Sequence, residues 1–506
     1  MKCKRILPLN EKPSVITCIH HAYPCAIIES KELAYISVSK FKEFQWNEKT
    51  NDASIHIDND IIKIIEDEDG KNTNIVLWRE CAKKDEIIIH VDYVKPRDFA
   101  RYIDIFLFKD DLEEEIGRED KTCGIRWNPY GFFIRKTMYS FDTKVFTYVK
   151  LHKDENVISA YASKNGTDWI FIDQKELPNI YREKALNIGI HMYLGKNYFD
   201  IWKNMNFIQL IYNEKNLYKG IYLDYYFFPR KNVDNSYSYF VNFIDTHYDS
   251  LYDAMDCFES IHEYIRWNIN HSYYLNICLD EYYVIDRLSN NKTHYDHYNL
   301  FYGFDDEKRV YNIMGYGKNS TPIISEISYD VLNQEIITSV NIVRYKYSSN
   351  DVSTLKFNIK SVIINLYEFL HSLDSSEKVS NLLTEEELWY GISIINKLAL
   401  TEIERVKNDK RITFCLAEHS KLMRERLKFL FENGYLENAD FEWLSPKCDE
   451  IVNITSALLG LIIKNMFKSV DSEKINKMLL QLYDKQKEFC ENLLKCLNRD
   501  NIVSLI

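Results

Sequence analysis

The sequence is short of residues that interrupt a chain. It holds 14 Gly and 9 Pro in 506 residues, a scarcity that excludes collagen-like and low-complexity chains and favours long packed elements. Basic charge is lacking too: 64 Lys and Arg stand against 76 Asp and Glu, a net charge of −12. A nucleic-acid binder needs a basic face to displace counterions, so none is expected here. No basic amphipathic run marks a membrane surface, and the first residues (MKCKRILPLNEKPSV) lack the apolar core of a signal peptide. The most apolar stretch, Ile451 to Phe467, carries Asn453, Lys464 and Asn465. It falls short of the roughly 20 apolar residues that span a bilayer and reads as a buried helix. The 11 Cys are scattered, odd in number and without a CxxC pair. That pattern excludes the common zinc and thioredoxin motifs and points to a reducing, cytoplasmic compartment.

What the sequence does have is ample core material: 46% hydrophobic and 28% charged residues, with 37 Tyr. Length suggests about three domains, and composition divides the chain into three zones. From Trp46 to Asp200 the pattern alternates and is punctuated by Gly. Glu86–Tyr93, Tyr102–Phe108, Phe132–Ile134, Val145–Leu151 and Asn187–Tyr193 read as strands of a β-sandwich. From Asn206 to Val340 strands and helices mix, with a helix over Tyr252–Asn268 and a strand over Leu275–Ile285. A hairpin follows, His297–Phe304 and Arg309–Tyr316, around the turn Asp305–Lys308. From Leu355 onward the chain reads as helical, with Thr384 capping a helix that runs to Leu400.

Familiar motifs fail one by one. His262–Glu263 opens an HExxH-like string, but Arg266 stands where the second His belongs. Glu66–Gly70 resembles part of a calcium loop with Ile65 in the first ligand position, so it reads as a turn. Gly315–Lys318 is neither a phosphate loop nor a dinucleotide fingerprint. His294, Asp296 and His297 lack a third spaced metal ligand. No cofactor is expected.

The string His297-Tyr-Asn-Leu-Phe-Tyr-Gly-Phe-Asp-Asp306, followed by Arg309-Val-Tyr-Asn-Ile-Met314, resembles the His-bearing hairpin of papain-like folds, closest to C39-type peptidases and butirosin-type acyltransferases. In such folds a strand His serves as base for a Cys thiolate, and a residue on the next strand orients the imidazole. The nucleophile then belongs at a helix N-terminus, where the dipole lowers its pKa. Cys25 follows Pro24 and suits a first helical turn; Cys18 lies outside that turn. A small buried Cys on a core helix is the plainer alternative.

The resemblance extends over residues 1–36 and 205–506 through His20–Pro24, Asn206–Leu210, Asp280–Tyr283 and Glu418–Lys421. It is similar to a family encoded among nonribosomal-peptide and polyketide genes. This implies transfer of an acyl group from a carrier-protein thioester to a small-molecule amine, in secondary-metabolite (antibiotic) biosynthesis, or a relative that has lost catalysis. Met314 falls where the orienting Asp of a C39-type enzyme would sit, leaving Asn312 on the same face to substitute. The expected oxyanion Gln is Ile19 here.

The first zone reads as an insertion. Val145–Leu151, the turn Ser163–Trp169 and Leu186–Ile190 resemble the concanavalin-like lectin/glucanase sandwich. Paired carboxylates for glycoside hydrolysis are missing from it; Glu113–Glu115 is only a turn cluster. Trp127, Tyr130 and Trp169 are the rings that would bind a carbohydrate, or simply pack. Arg424, Arg426 and Lys428 offer a basic set for an acidic carrier protein, although mixed charges on a helix more often mark a solvated face.

The expected architecture is therefore multidomain α+β. Residues 1–37 and 205–345 form a papain-like (C39-like) domain, 38–204 an inserted concanavalin-like β-sandwich, and 346–506 a helical domain. The expected function is an acyltransferase with Cys25 as nucleophile, His297 as base and Asn312 as orienter. The alternatives are a non-catalytic protein that binds a metabolite or carrier protein, or a carbohydrate binder acting through the sandwich. Tyr212 to Tyr316 holds 19 of the 37 Tyr, so a Tyr-lined pocket is expected in that zone.

Overall fold

The computed structural model describes residues 4–16, 19–67, 73–94, 102–109, 123–128, 131–134, 137–143, 145–181, 185–194, 208–213, 220–225, 244–319, 321–333, 336–347, 357–373, 388–465 and 467–497. The architecture is α+β, with large antiparallel sheets followed by a helical region.

The first sheet gathers both ends of the zone that the sandwich interrupts. Its strands are β1 (Lys4–Ile6), β2 (Ile244–Ser250), β3 (Tyr274–Asp280), β4 (Asp296–Asp305), β5 (Val310–Tyr316), β6 (Pro322–Ser328) and β7 (Asn341–Tyr347). They lie in the order β2-β7-β3-β4-β5-β6, with β1 paired to the far end of β4. Helices α1 (Ile19–Ile28), α2 (Leu251–Cys257) and α3 (Ile261–Asn270) accompany it. β3 is buried along its whole length, as a central strand covered on both faces must be.

The expected single helix over Tyr252–Asn268 is two. The chain leaves helical geometry at Phe258 (φ −126°, ψ 143°) and restarts at Ser260, whose hydroxyl accepts from the Glu263 amide at 3.2 Å. Glu263 in turn accepts from the amide of Glu259, one residue before the cap, at 2.9 Å, and the two bonds fix where α3 begins. The strand expected to reach Ile285 stops at Asp280. There the Asp280 carboxylate accepts from the Tyr282 amide at 3.0 Å and turns the chain into a 3-10 turn, Glu281–Tyr283.

Two further sheets, seven-stranded among the described residues, share a separate apolar core. One runs through Tyr102–Phe108, Leu186–Leu194 and Thr73–Cys81; the other through Tyr148–Asp154, Lys84–Val94 and Glu32–Val38. Their inner residues, such as Ile36, Ile89, Ile105 and Ile190, meet between the layers as in a β-sandwich. Because Glu32–Val38 pairs with Ile61–Glu66 and Lys84–Val94, the sandwich begins before residue 38.

The helical region comprises α4 (Ile359–His371), α5 (Ser393–Leu400), α6 (Ile403–Asn408), α7 (Lys410–Glu432), α8 (Asn438–Asn465) and α9 (Ser472–Leu497). Ile451 to Asn465 lies within α8 and is partly buried there, while Phe467 is 86% exposed. No helix among the described residues is long and apolar enough to cross a membrane. Thr384 lies outside the described residues, and the helix expected from it begins only at Ser393. Leu388–Tyr390 is instead a strand paired with Ile208–Asn213, and Gly391 turns the chain at φ +62°. The helices pack with α1 and the first sheet into one continuous core. The expected boundary near 345 therefore does not divide two cores.

Candidate functional site

The His297 hairpin forms as its sequence suggests. β4 and β5 pair antiparallel, and the Asp305 carboxylate closes the turn by accepting from the Glu307 and Lys308 amides, each at 3.0 Å. On its other side β4 pairs with β3, placing His297 opposite Leu279. The 3-10 turn that follows β3 then carries Glu281 to the imidazole, Nδ1 to Oε1 at 3.2 Å. A carboxylate can only accept, so Nδ1 bears the proton and Nε2 is the ring nitrogen that Glu281 leaves available. Among the described residues Nε2 has no hydrogen-bond partner. His297 is 23% exposed and Glu281 only 5%.

A buried guanidinium backs this pair. Arg287 has no exposed side-chain surface, and its Nε lies 3.5 Å from Glu281 Oε1. Its Nε and Nη2 donate to Asn299 Oδ1 at 3.3 and 2.8 Å, while Asn299 Nδ2 donates to the His297 carbonyl at 3.1 Å. Burial holds the Arg287 pKa below its usual value, and the nearby Glu281 charge offsets only part of that. The neighbouring Asp280 forms a second pair with an imidazole, His294 Nδ1 at 2.5 Å. Burial would raise the Asp280 pKa, but donation from His294 and from the Tyr282 and Tyr295 amides holds it below the usual value. Tyr rings frame the corner: Tyr316 lies edge-on to His297 at 5.6 Å and Tyr295 stacks at 5.8 Å.

Two of the expected catalytic residues are not placed for their roles. Asn312 pairs with Gly303, six residues along β4 from His297 and thus roughly 20 Å away at strand rise. It packs over Gly303, where a Cβ would come within 2.8 Å of Asn312 Oδ1. Met314, fully buried, pairs with Leu300. Glu281 is the residue that orients His297. Cys25 lies in the interior of α1 rather than its first turn, because Pro24 sits within the helix instead of opening it. Its side chain is 1% exposed in the shared core. Tyr23, two residues before it, donates to the Tyr298 carbonyl at 2.7 Å. At about 100° per residue, Cys25 leaves the helix on the opposite side.

Cys18 lies outside the described residues. The segment just before it is clamped: Tyr316 Oη donates to the Ile16 carbonyl at 2.5 Å, and the Ile16 amide donates to Glu418 of α7 at 2.6 Å. Cys278 pairs with Tyr298 and accepts from Thr338 Oγ1 at 3.3 Å. Burial raises its thiol pKa, the environment of an inert thiol.

The sequence offers Glu281 only within the string Asp280–Tyr283, with no role at the site, and does not mark Arg287 at all. The signal for Glu281 is Asp280 one residue earlier, a capping residue that ends β3 and aims the next side chain across the strand. Arg287 carries no local signal beyond Gly315, which leaves room for it.

Elsewhere the candidates are quieter. Among the described residues no group of three or more His, Cys, Asp and Glu stands together to hold a metal. Trp127 is 8% exposed in the sandwich core, Tyr130 lies outside the described residues, and Lys150 Nζ sits 4.3 Å from the Trp169 ring. Arg426 is buried, while the exposed Arg424 pairs with Asp449 and Lys428 with Glu432, as on a solvated face of mixed charge. A groove of about 800 Å³ lies against α8, lined by Phe441, Pro446, Asp449, Ile454 and Met478 and by no Tyr.

No family model and no curated protein matches the chain. Among solved structures, the VIP36 exoplasmic/lumenal domain in its Ca2+/Man3GlcNAc-bound form is similar at TM-score 0.20 and 11% identity, over 33% of this chain and 83% of that one. A chain titled pT26-6p is similar at TM-score 0.11 and 8% identity, over 90% of this chain and 89% of that one. Likenesses this slight bear on neither fold nor function.

Proposed function

We propose that the chain transfers an acyl group from a carrier-protein thioester to an amine, on a papain-like scaffold interrupted by the concanavalin-like sandwich. The carrying observation is the Glu281–His297 pair: the imidazole side chain is partly exposed, and its Nε2 has no hydrogen-bond partner among the described residues. Nε2 accepts a proton from a cysteine thiol, and the thiolate attacks the thioester carbonyl. The carrier thiolate leaves and takes that proton, so an acyl-enzyme forms. The amine then attacks the acyl carbon, His297 takes the amine proton and returns it to the departing cysteine. The products are an amide and the free thiol. Glu281 stabilises the imidazolium at each stage.

The burial of Cys25 favours a second reading, a protein that binds a metabolite or carrier without turning it over. One experiment separates the two. The full chain is incubated with acyl-pantetheine thioesters and its intact mass recorded, for wild type, Cys25→Ala, Cys18→Ala and His297→Ala. Acyl transfer predicts an adduct on wild type that His297→Ala lowers and one cysteine variant abolishes. That variant names the nucleophile. Absence of any adduct, with the thioester still bound, supports the binding reading.

A further inference from the structure

His297 is gripped from two sides by one side chain. Arg287 touches both groups that position the imidazole: Glu281, on Nδ1, and Asn299, on the His297 carbonyl. Its burial is complete, yet Nη1 has no hydrogen-bond partner among the described residues. A buried guanidinium with an unsatisfied nitrogen is a poor way to stabilise a core, since apolar side chains of similar volume commonly do as well or better. The backbone is shaped to receive it. A Cβ on Gly315 would stand 2.3 Å from Asn299 Oδ1 and 2.6 Å from Arg287 Nη2, so β5 carries Gly where the guanidinium crosses it.

We propose that Arg287 is a positioning residue for His297: lying over Gly315, it holds Glu281 against Nδ1 and Asn299 against the His297 carbonyl, and so fixes the imidazole in the orientation that leaves Nε2 to react. Without the guanidinium, the Glu281 carboxylate would lose the cation that faces it and Asn299 its donor, and both would hold the imidazole less firmly. The inference rests on the reading of His297 as a base, but its test needs no substrate.

The test is the rate at which diethylpyrocarbonate modifies His297 in the full chain, read by peptide mass spectrometry. His294, held by Asp280, serves as the internal standard. Glu281→Gln and Arg287→Met should each slow His297 about tenfold against His294. The double variant should be no slower than either single one, because Arg287 acts through Glu281. Gly315→Ala, which leaves every charge in place but displaces the guanidinium, should slow it too. If Arg287→Met fails to fold, Arg287→Lys decides, since it keeps the charge and loses the fork. Unchanged His297 reactivity in a folded Arg287 variant overturns the proposal, as does an additive double variant. Failure of acyl transfer with this reactivity pattern intact would remove the proposed function alone.

Discussion

At the scale of the residue, His297 owes its geometry to a neighbour that the strand pattern hides. The His itself is legible, because a hairpin with a His at its open end and an Asp-led turn is a local pattern. Glu281 is not, because Leu275–Ile285 is rich enough in apolar and Tyr residues to pass for one strand; only the Asp280 cap ends it. Gly315 gives the first prediction at this scale. Gly315→Ala should destabilise the fold by roughly 1–3 kcal/mol, since the added Cβ meets polar atoms that have no room to retreat. A urea midpoint unchanged from wild type would contradict that. Asn276 gives a second. It is fully buried, and neither end of its amide has a protein partner among the described residues. Asn276→Leu should therefore leave stability unchanged or raise it by about 1 kcal/mol, as read by thermal melting.

At the scale of the element, caps and breakers decided what periodicity left open. Ser260 starts α3, and Ser260→Ala should cost about 1 kcal/mol in chemical denaturation. Gly391 divides a stretch of good helix formers into a strand and a helix, because its positive φ and the Phe369 carbonyl 2.3 Å from a would-be Cβ admit no side chain. Gly460 is the contrast: nothing lies within 4 Å of its would-be Cβ. Gly460→Ala in α8 should stabilise by up to about 1 kcal/mol, the ordinary helix-propensity gain. The sandwich strands were readable one by one as short apolar runs between turns, some alternating like Tyr148–Asp154 and some buried nearly throughout like Tyr102–Phe108. Their assignment to two sheets was not, because strand order depends on contacts distant in sequence.

At the scale of the whole molecule, two large cores stand out among the described residues. The sandwich has its own, while α1, the first sheet and the C-terminal helices share the other. Thermal unfolding by calorimetry should accordingly show two transitions, and Ile190→Ala should move only the one belonging to the sandwich. A single transition shifted as a whole would refute this. Stability should also respond to pH in two windows. Burial lowers the pKa of His90, and burial with the charges of Arg309 and Arg266 lowers that of His262. Their neutral forms are favoured in the fold, so stability held above the ordinary value of about 6.5 is lost as pH falls below it. The second window lies lower. Burial would raise the pKa of Asp85, but its bonds from Arg79 and the Ala82 and Glu86 amides outweigh that and hold it down. With Asp280 and Asp409 it contributes stability above about pH 3.9 that is lost as pH falls further. Urea midpoints flat from pH 7 to 3 would contradict both.

The sequence by itself determined the elements that obey local rules. The few Gly and Pro left long uninterrupted helices at the C-terminal end, alternation marked the sandwich strands, and the turn at Asp305 made the His297 hairpin. Tertiary structure alone decided which side chains meet. The register of β4 on β5 carried Asn312 to Gly303, the turn after β3 brought Glu281 to His297, and Pro24 within α1 left Cys25 facing the core. Periodicity fixes the face on which a residue lies, because it follows from backbone geometry. Partnership depends on strand register and on packing between separate segments, which no local pattern encodes.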